Sequence, residues 1–507
     1  MSIHRAALLG CYAVATFLAF PHPVLGAVVD LGWVAAWLAP AFLILALRGV
    51  APRRALGLGF LGGLVAHSAV LHWIYVVTVT YGHAPPVVGL IAPILLAAYI
   101  AGFTALFGMA VAWLERRRLA SPFAIAAVWT ALDHLRSFAL TGFPWATLGY
   151  AQHQNLALMP LVAWTGVYGL SFLSVLGGAA LACLFSSPRL EADSPLAPSA
   201  RRLGWGTWAA LGVVVCAHML GLALNASRTA LDWPEVRVAV LQGNIDQGVK
   251  WSPEWAGRTL EIYEELTRRA VAEGAAVVVW PETAAPGSLD SDPGLRERIA
   301  ALAEDTGAFL VVGAVGIDGL DAAAGEPPRR ADLRFFDSAY LLDTAGRSLD
   351  RYDKTHLVPF GEYMPLRDLL GRFVQAIATG SAGQDVTAGK SPRSLVLPGL
   401  AIGTGEPFVT VGVPICYELL FPDLVRRFVG DGADVLFAIT NDAWYGRTGA
   451  PYQFLVMTAM RSAEGRVWTA RAANSCSSIL FSRHDGGSGA LSREAGTSLI
   501  GITRALS

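Results

Sequence analysis

Three side chains of complementary chemistry stand where a strand ends or a loop begins in the second part of this 507-residue sequence. Cys416 follows Val411-Gly412-Val413-Pro414-Ile415, Glu282 follows Val277-Val278-Val279-Trp280-Pro281, and Lys354 lies within Arg351-Tyr352-Asp353-Lys354-Thr355. Taken singly, each means little: a cysteine after an apolar strand is more often an inert core residue, and a lone glutamate at a strand end is unremarkable. The lysine is a compositional exception, because Lys250, Lys354 and Lys390 stand against 35 arginines. Together the three are the set that one acyl-transfer cycle needs. A thiolate attacks an acyl carbon, a carboxylate takes the thiol proton, and a fixed ammonium steadies both the sulfur anion and the tetrahedral oxyanion. A second glutamate, Glu362, shares the Lys354 segment, and Tyr417 and Glu418 adjoin the cysteine. Beyond residue 226 only Cys416 and Cys476 are cysteines. A bridge between them would extinguish the nucleophile, so Cys476 is read as a small packing residue.

The elements that must position these groups have strand and helix character in alternation. Short apolar runs at 236–241, 276–279, 309–312 and 435–438 are predicted strands, and 254–273 and 293–305 are predicted helices. This describes an α/β domain over 227–507, large enough for one substantial core. Segments 314–334 and 378–395 read as exposed loops.

The first 226 residues are a different material. They carry 11 basic and 5 acidic residues, whereas 227–507 carry 27 and 34. The low charge of the first part excludes a large soluble domain there, and neither part has a basic surface dense enough for nucleic acid. Apolar runs at 6–20, 26–47, 55–79, 87–114, 122–140, 157–186 and 203–224 predict seven membrane spans. The first run is not expected to be a cleaved leader, since no small-residue cleavage site leads into polar sequence. Arg5, then Arg48, Arg53 and Arg54, then Arg116, Arg117 and Arg118, then Arg189, Arg201 and Arg202 fall at the N-terminus and in alternate connections. The N-terminus is therefore expected in the cytoplasm and 227–507 outside it. Within the spans, Asp133, His134 and Arg136 are either an internally paired polar patch or the border of a lipid or substrate entrance. Trp73, Tyr75, Tyr81, Trp145 and Tyr150 are expected as interface anchors.

At these residues the sequence resembles the bacterial apolipoprotein N-acyltransferases, membrane members of the nitrilase (carbon-nitrogen hydrolase) superfamily. The resemblance is carried by Leu71-His72-Trp73-Ile74-Tyr75, Thr141-Gly142-Phe143-Pro144-Trp145, Gln242-Gly243-Asn244-Ile245, Lys250-Trp251, Trp280-Pro281-Glu282, Tyr352-Asp353-Lys354, Pro359-Phe360-Gly361-Glu362-Tyr363, Cys416-Tyr417-Glu418 and Thr440-Asn441-Asp442-Ala443-Trp444. It implies a polytopic helical membrane bundle joined to a periplasmic αββα sandwich, as a monomer in the bacterial inner membrane. It also implies Glu282 as general base, Lys354 as electrostatic stabiliser and Cys416 as nucleophile. Glu362 then orients Lys354 or relays protons, Tyr417 and Glu418 shape the pocket, and Trp251 and Trp444 stand at the substrate entrance. The implied reaction moves an acyl chain from a phospholipid to Cys416 and then to the α-amino group of a diacylglyceryl-cysteine at an apolipoprotein N-terminus, without metal or cofactor. Two alternatives remain open: a membrane-tethered amidase or nitrilase-type hydrolase, and a non-catalytic lipoprotein-binding paralogue. The sequence departs from the family pattern at Asp133-His134, Asp337, Phe454 and Asn474-Ser475-Cys476-Ser477, and 479–507 holds no run of about 18 apolar residues, so the C-terminus is expected outside.

Overall fold

The structure, a computed structural model, describes residues 2–185, 204–227, 236–320, 332–365, 385–400, 408–475, 479–481 and 496–502. Cys476, Arg189, Arg201 and Arg202 lie outside the described residues. Two compact units form: one comprises 1–80, 85–228 and 447–460, the other 81–84, 229–446 and 461–507.

The first unit is helical: α1 (Ile3–Leu18), α2 (Gly32–Leu47), α3 (Pro52–Val70), α4 (Pro86–Arg116), α5 (Pro122–Arg136), α6 (Val162–Leu184) and α7 (Trp205–Ala226). Each predicted apolar run thus contains a helix. Three are long and apolar enough to cross a membrane: Pro86–Arg116, Met159–Leu184 and Trp205–Ala226, while α1 and α2 are apolar but have 16 residues each. The expected run 26–47 is shortened at its start. Ala27–Val29 (β2) pairs antiparallel with His22–Val24 (β1) through a turn in which Leu25 and Gly26 both have positive φ, so α2 begins only at Gly32. Helices α3 and α4 approach closely because Gly59 and Gly63 leave no room for a Cβ against Thr104.

Polar residues inside this unit are paired with one another. Arg136, 2% exposed, donates to the carbonyls of Phe143 (3.0 Å) and Trp145 (2.6 Å), to Asp133 Oδ1 (3.1 Å) and to Thr147 Oγ1 (3.1 Å). Asp133 Oδ2 accepts from Trp129 and Ser171, both at 3.0 Å. Internal pairing is thus what Asp133 and Arg136 do. Trp73, Trp145 and Tyr150 are buried, which corrects their expected place as interface anchors. Burial suits Trp145 because its indole N–H reaches Gln453 Oε1 at 2.7 Å and its ring stacks on Phe454.

The second unit contains β3 (Val236–Gln242), α8 (Pro253–Ala272), β4 (Val277–Val279), α9 (Pro293–Thr306), β5 (Phe309–Asp318), β6 (Arg334–Leu342), β7 (Ser348–Asp353), β8 (Leu395–Pro398), β9 (Phe408–Gly412), α10 (Pro422–Gly430), β10 (Val435–Thr440), β11 (Trp468–Ala473), β12 (Ile479–Phe481) and β13 (Gly496–Ile502), while α11 (Ala450–Gly465) belongs to the first unit up to Met460 and to the second beyond it. One sheet has the order β13-β3-β4-β5-β6-β7, the other β12-β11-β10-β9-β8. On the first sheet Ala239, Leu241, Val278, Trp280, Leu310 and Val312 pack against Leu260, Tyr263 and Leu266 of α8 and Ile299 and Leu302 of α9. The alternate residues Val238, Val240, Val277, Val279 and Val311 are equally buried, and β11 of the other sheet lies against β3. Covering on both faces is why these strands read as unbroken apolar runs. The loop expected from residue 314 begins later, because β5 stays paired with β6 as far as Asp318 opposite Arg334.

Candidate active site

Chain direction brings the singled-out residues to one end of the two sheets. Glu282 lies three residues beyond the end of β4, and the intervening Pro281 cannot extend the ladder. Lys354 directly follows β7, its N–H continuing the β6–β7 pairing to the carbonyl of Asp337 at 2.8 Å. Cys416 stands four residues past β9 at the start of a short 3-10 turn, Cys416–Leu420. Backbone strain gathers here: Cys416 (φ 48°), Thr283 (φ 45°) and Phe360 (φ 64°) all lie in the left-handed region, unusual for residues with side chains and most costly for β-branched Thr283.

Lys354, with no exposed surface, is the hub. Its Nζ lies 2.5 Å from Glu362 Oε1, 3.3 Å from Glu282 Oε1 and 3.3 Å from Asp337 Oδ2. Glu282 Oε2 accepts the backbone N–H of Asn441 at 2.7 Å, and Glu362 Oε2 that of Val358 at 2.8 Å. The buried Cys416 thiol lies within the electrostatic reach of Glu282 and Lys354. Glu282, Lys354, Cys416 and Glu362 are thus gathered into one cluster, buried except at the partly exposed Glu362, with Asp337 as an additional buried member. The three carboxylates could in principle ligate a metal, since their oxygens lie within 4.8 Å of one another, but the Lys354 ammonium already takes the position between them.

The electrostatics follow from burial and from this crowding. Burial pushes the Cys416 thiol up, the Glu282 charge pushes it further, and Lys354 offsets only part, leaving it well above the ordinary thiol range. Burial also works against ionised Glu282, yet Lys354, aided by Asp337, Lys250 and Cys416, holds it below its usual value. Burial opposes the charge on Lys354, but Glu362, Glu282 and Asp337 outweigh it and raise the ammonium well above normal. A neutral thiol therefore rests near an ionised carboxylate and a fixed cation.

Tyr417 and Glu418 sit apart from this charge cluster. Glu418 is wholly buried: its Oε1 accepts from Tyr352 Oη, Thr355 N and Thr355 Oγ1, each at 2.7 Å, and from His356 N at 3.3 Å, and its Oε2 accepts from Ile415 N at 2.8 Å. It is a strut that ties the segment after Lys354 to the residue before Cys416. Tyr417 packs edge-on against Phe421 and tilted on His356. Trp251 is half exposed at 53%, with the Lys250 ammonium 5.8 Å from its ring, and Trp444 meets Tyr81 edge-on.

Two members of the site carried no role in the sequence reading. Lys250 is buried, donates to the Glu282 carbonyl at 3.0 Å and Thr283 Oγ1 at 2.8 Å, and is lowered to about 8 by burial. It pins the strained turn that carries Glu282. In the sequence Asp337 stands out only as a departure from the family pattern. Its position on β6, beside the strand that leads into Lys354, was the available signal.

Two family models match this chain, one described as apolipoprotein N-acyltransferase N-terminal domain over residues 12–180 and one as carbon-nitrogen hydrolase over residues 237–501. An apolipoprotein N-acyltransferase of Geobacter metallireducens is 36% identical over 92% of this chain and 83% of its own length. That of Pseudomonas syringae pv. tomato is 32% identical over 87% of this chain and 81% of its own. Among solved structures, an amidase from Nesterenkonia sp. is similar over 55% of this chain and 94% of its own, at 18% identity and a TM-score of 0.38. With relatives of this identity aligned along most of its length, the chain belongs to the apolipoprotein N-acyltransferase family.

Proposed function

We propose that this protein transfers an acyl chain from a membrane phospholipid to the α-amino group of the diacylglyceryl-cysteine that begins an apolipoprotein, through a thioester on Cys416. The observation that carries the reading is the meeting of the Cys416 thiol, the Glu282 carboxylate and the buried Lys354 ammonium in a chain of this family. Because the thiol rests neutral, attack on the phospholipid ester is coupled to proton transfer: the S–H proton moves to Glu282 as the S–C bond forms. Lys354 faces the oxyanion that develops, and Glu362 fixes its ammonium. The tetrahedral adduct collapses, the leaving oxygen of the lysophospholipid takes the proton from Glu282, and the acyl chain stays on sulfur. In the second half-cycle Glu282 removes a proton from the attacking amine, the C–N bond forms and the C–S bond breaks, and Glu282 returns that proton to the departing sulfur, restoring the Cys416 thiol.

The partners in this reading are a phospholipid donor and a diacylated apolipoprotein acceptor, with the enzyme acting as a monomer. It lies in the bacterial inner membrane with all seven helices of the first unit as spans, N-terminus in the cytoplasm and the α/β unit in the periplasm. The arginines of alternate connections support that orientation, and the three long apolar helices support the membrane. Trp251, exposed beside the site, and Trp444 stand at the substrate entrance. Incubation with radiolabelled phospholipid and a synthetic diacylated lipopeptide tests the reading: label should reach the peptide amine as an amide. Release of free fatty acid alone would identify a hydrolase instead.

A further inference from the structure

Three carboxylates share one buried site, and their donors are unevenly distributed. Glu282 and Glu362 each receive a backbone N–H on one oxygen and Lys354 on the other. Asp337 receives Lys354 on Oδ2 at 3.3 Å, and its Oδ1 is buried with no donor among the described residues. An Asp337 oxygen nevertheless lies within 4.8 Å of a Glu282 oxygen, with the Lys354 ammonium between the two carboxylates. Two ionised carboxylates repel at that separation, whereas one shared proton makes their approach attractive. The groups facing Asp337 are Glu282 beyond β4, Lys354 beyond β7, Glu362 in the loop that follows, and Lys250 ahead of α8, with Cys416 across Glu282 and Val315 opposite on β5.

We propose that Asp337 keeps a proton through the neutral range and donates it as a hydrogen bond to Glu282, serving as a positioning residue that leaves Glu282 the single ionised base for Cys416. Burial and the Glu282 charge, which both push the Asp337 carboxyl up, agree with the geometry. When Cys416 gives its proton to Glu282, the S–H bond breaks and an O–H bond forms on Glu282, while the Asp337 proton stays in place. The sulfur anion then faces one carboxyl charge fewer than the residue types suggest. At alkaline pH Asp337 ionises and a further negative charge opposes the thiolate. The inference rests on Glu282 being the base of Cys416, but its test uses no lipid and so fails separately from the acyl-transfer reading.

The test is the rate of Cys416 alkylation by iodoacetamide, measured by mass on the full-length protein in detergent from mildly acidic to alkaline pH. Asp337→Asn supplies a donor that cannot titrate. Its profile should match wild type within about twofold near neutral pH and become faster by on the order of tenfold at alkaline pH, where wild type alone gains a charge. Asp337→Leu, which has no donor, should alkylate about tenfold more slowly near neutral pH, the loss expected for one buried hydrogen bond. An Asp337→Asn rate tenfold above wild type already at neutral pH would mean that Asp337 is ionised there and would overturn the proposal. Profiles superimposed to the alkaline end, or Asp337→Leu as fast as Asp337→Asn, would also overturn it. If the variants do not fold, infrared spectroscopy of the wild type decides: a deuterium-sensitive carboxylic-acid C=O band at neutral pH supports the proposal when it is lost at alkaline pH, and its absence at neutral pH refutes it.

Discussion

Replacing Lys354 by methionine keeps the length of the side chain and deletes the charge on which Glu282, Asp337 and Glu362 converge. The lysine is fully buried, so water cannot substitute for the lost ammonium. Removing one partner from a buried ion pair costs about 3–5 kcal/mol, because the other is left uncompensated. Here that cost must depend on pH in a definite direction. Without Lys354, Glu282 and Glu362 hold protons in the folded state at pH values where the unfolded chain has released them. The folded state then binds more protons than the unfolded, and stability falls as pH rises, by about 1.4 kcal/mol per pH unit for each extra proton held. The Lys354→Met penalty should therefore be small near pH 4, grow through the weakly acidic range and level off once the folded carboxyls ionise. Thermal unfolding in detergent micelles between about pH 4 and pH 8, wild type beside variant, measures it. A variant as stable as wild type at pH 8, or a penalty independent of pH, would refute the assignment of Lys354 as the counter-ion of the cluster.

Other substitutions probe the remaining parts. Lys354→Arg retains charge but replaces a compact ammonium with a planar fork, so acyl transfer should fall by on the order of 100-fold or more; near-normal turnover in the lipopeptide assay would remove Lys354 from oxyanion stabilisation. Glu418→Gln places an amide NH₂ among four donors and an N–H on the opposite side, and should cost about 2–4 kcal/mol through unsatisfied buried groups; an unchanged unfolding temperature would contradict its role as a strut. In the helical unit, Arg136→Met strands Asp133 and the carbonyls of Phe143 and Trp145, and a loss of about 3–5 kcal/mol is expected in the same unfolding assay.

The chemistry of the site was more legible in the sequence than its wiring. Glu282 and Cys416 could be singled out because each follows an apolar run whose strand character is local, Lys354 because lysine is rare in this chain, and all three because their residue types complement one another. What binds them lies at separations no local pattern encodes. Asn441 supports Glu282 across 159 positions, and Glu418 reaches Tyr352 across 66. Glu418 accordingly read as a pocket residue beside the nucleophile and is found to be a buried brace. The early hairpin at His22–Val29 was hidden because its apolar residues continue the run of α2, and the length of β5 because Gly316 within it belongs to the glycine-rich segment that read as loop. Tryptophans expected at a membrane interface are inside the helical unit, since Trp145 finds its partner Gln453 a further 308 residues along the chain.

The most direct measurement is the intact mass of the protein after incubation with a phospholipid of defined acyl chains and no acceptor. One acyl group should add to Cys416, absent in Cys416→Ser and reversed by neutral hydroxylamine, and adding the diacylated lipopeptide should move that same mass to the peptide amine. An unmodified Cys416 alongside acylated peptide would contradict the account at its centre.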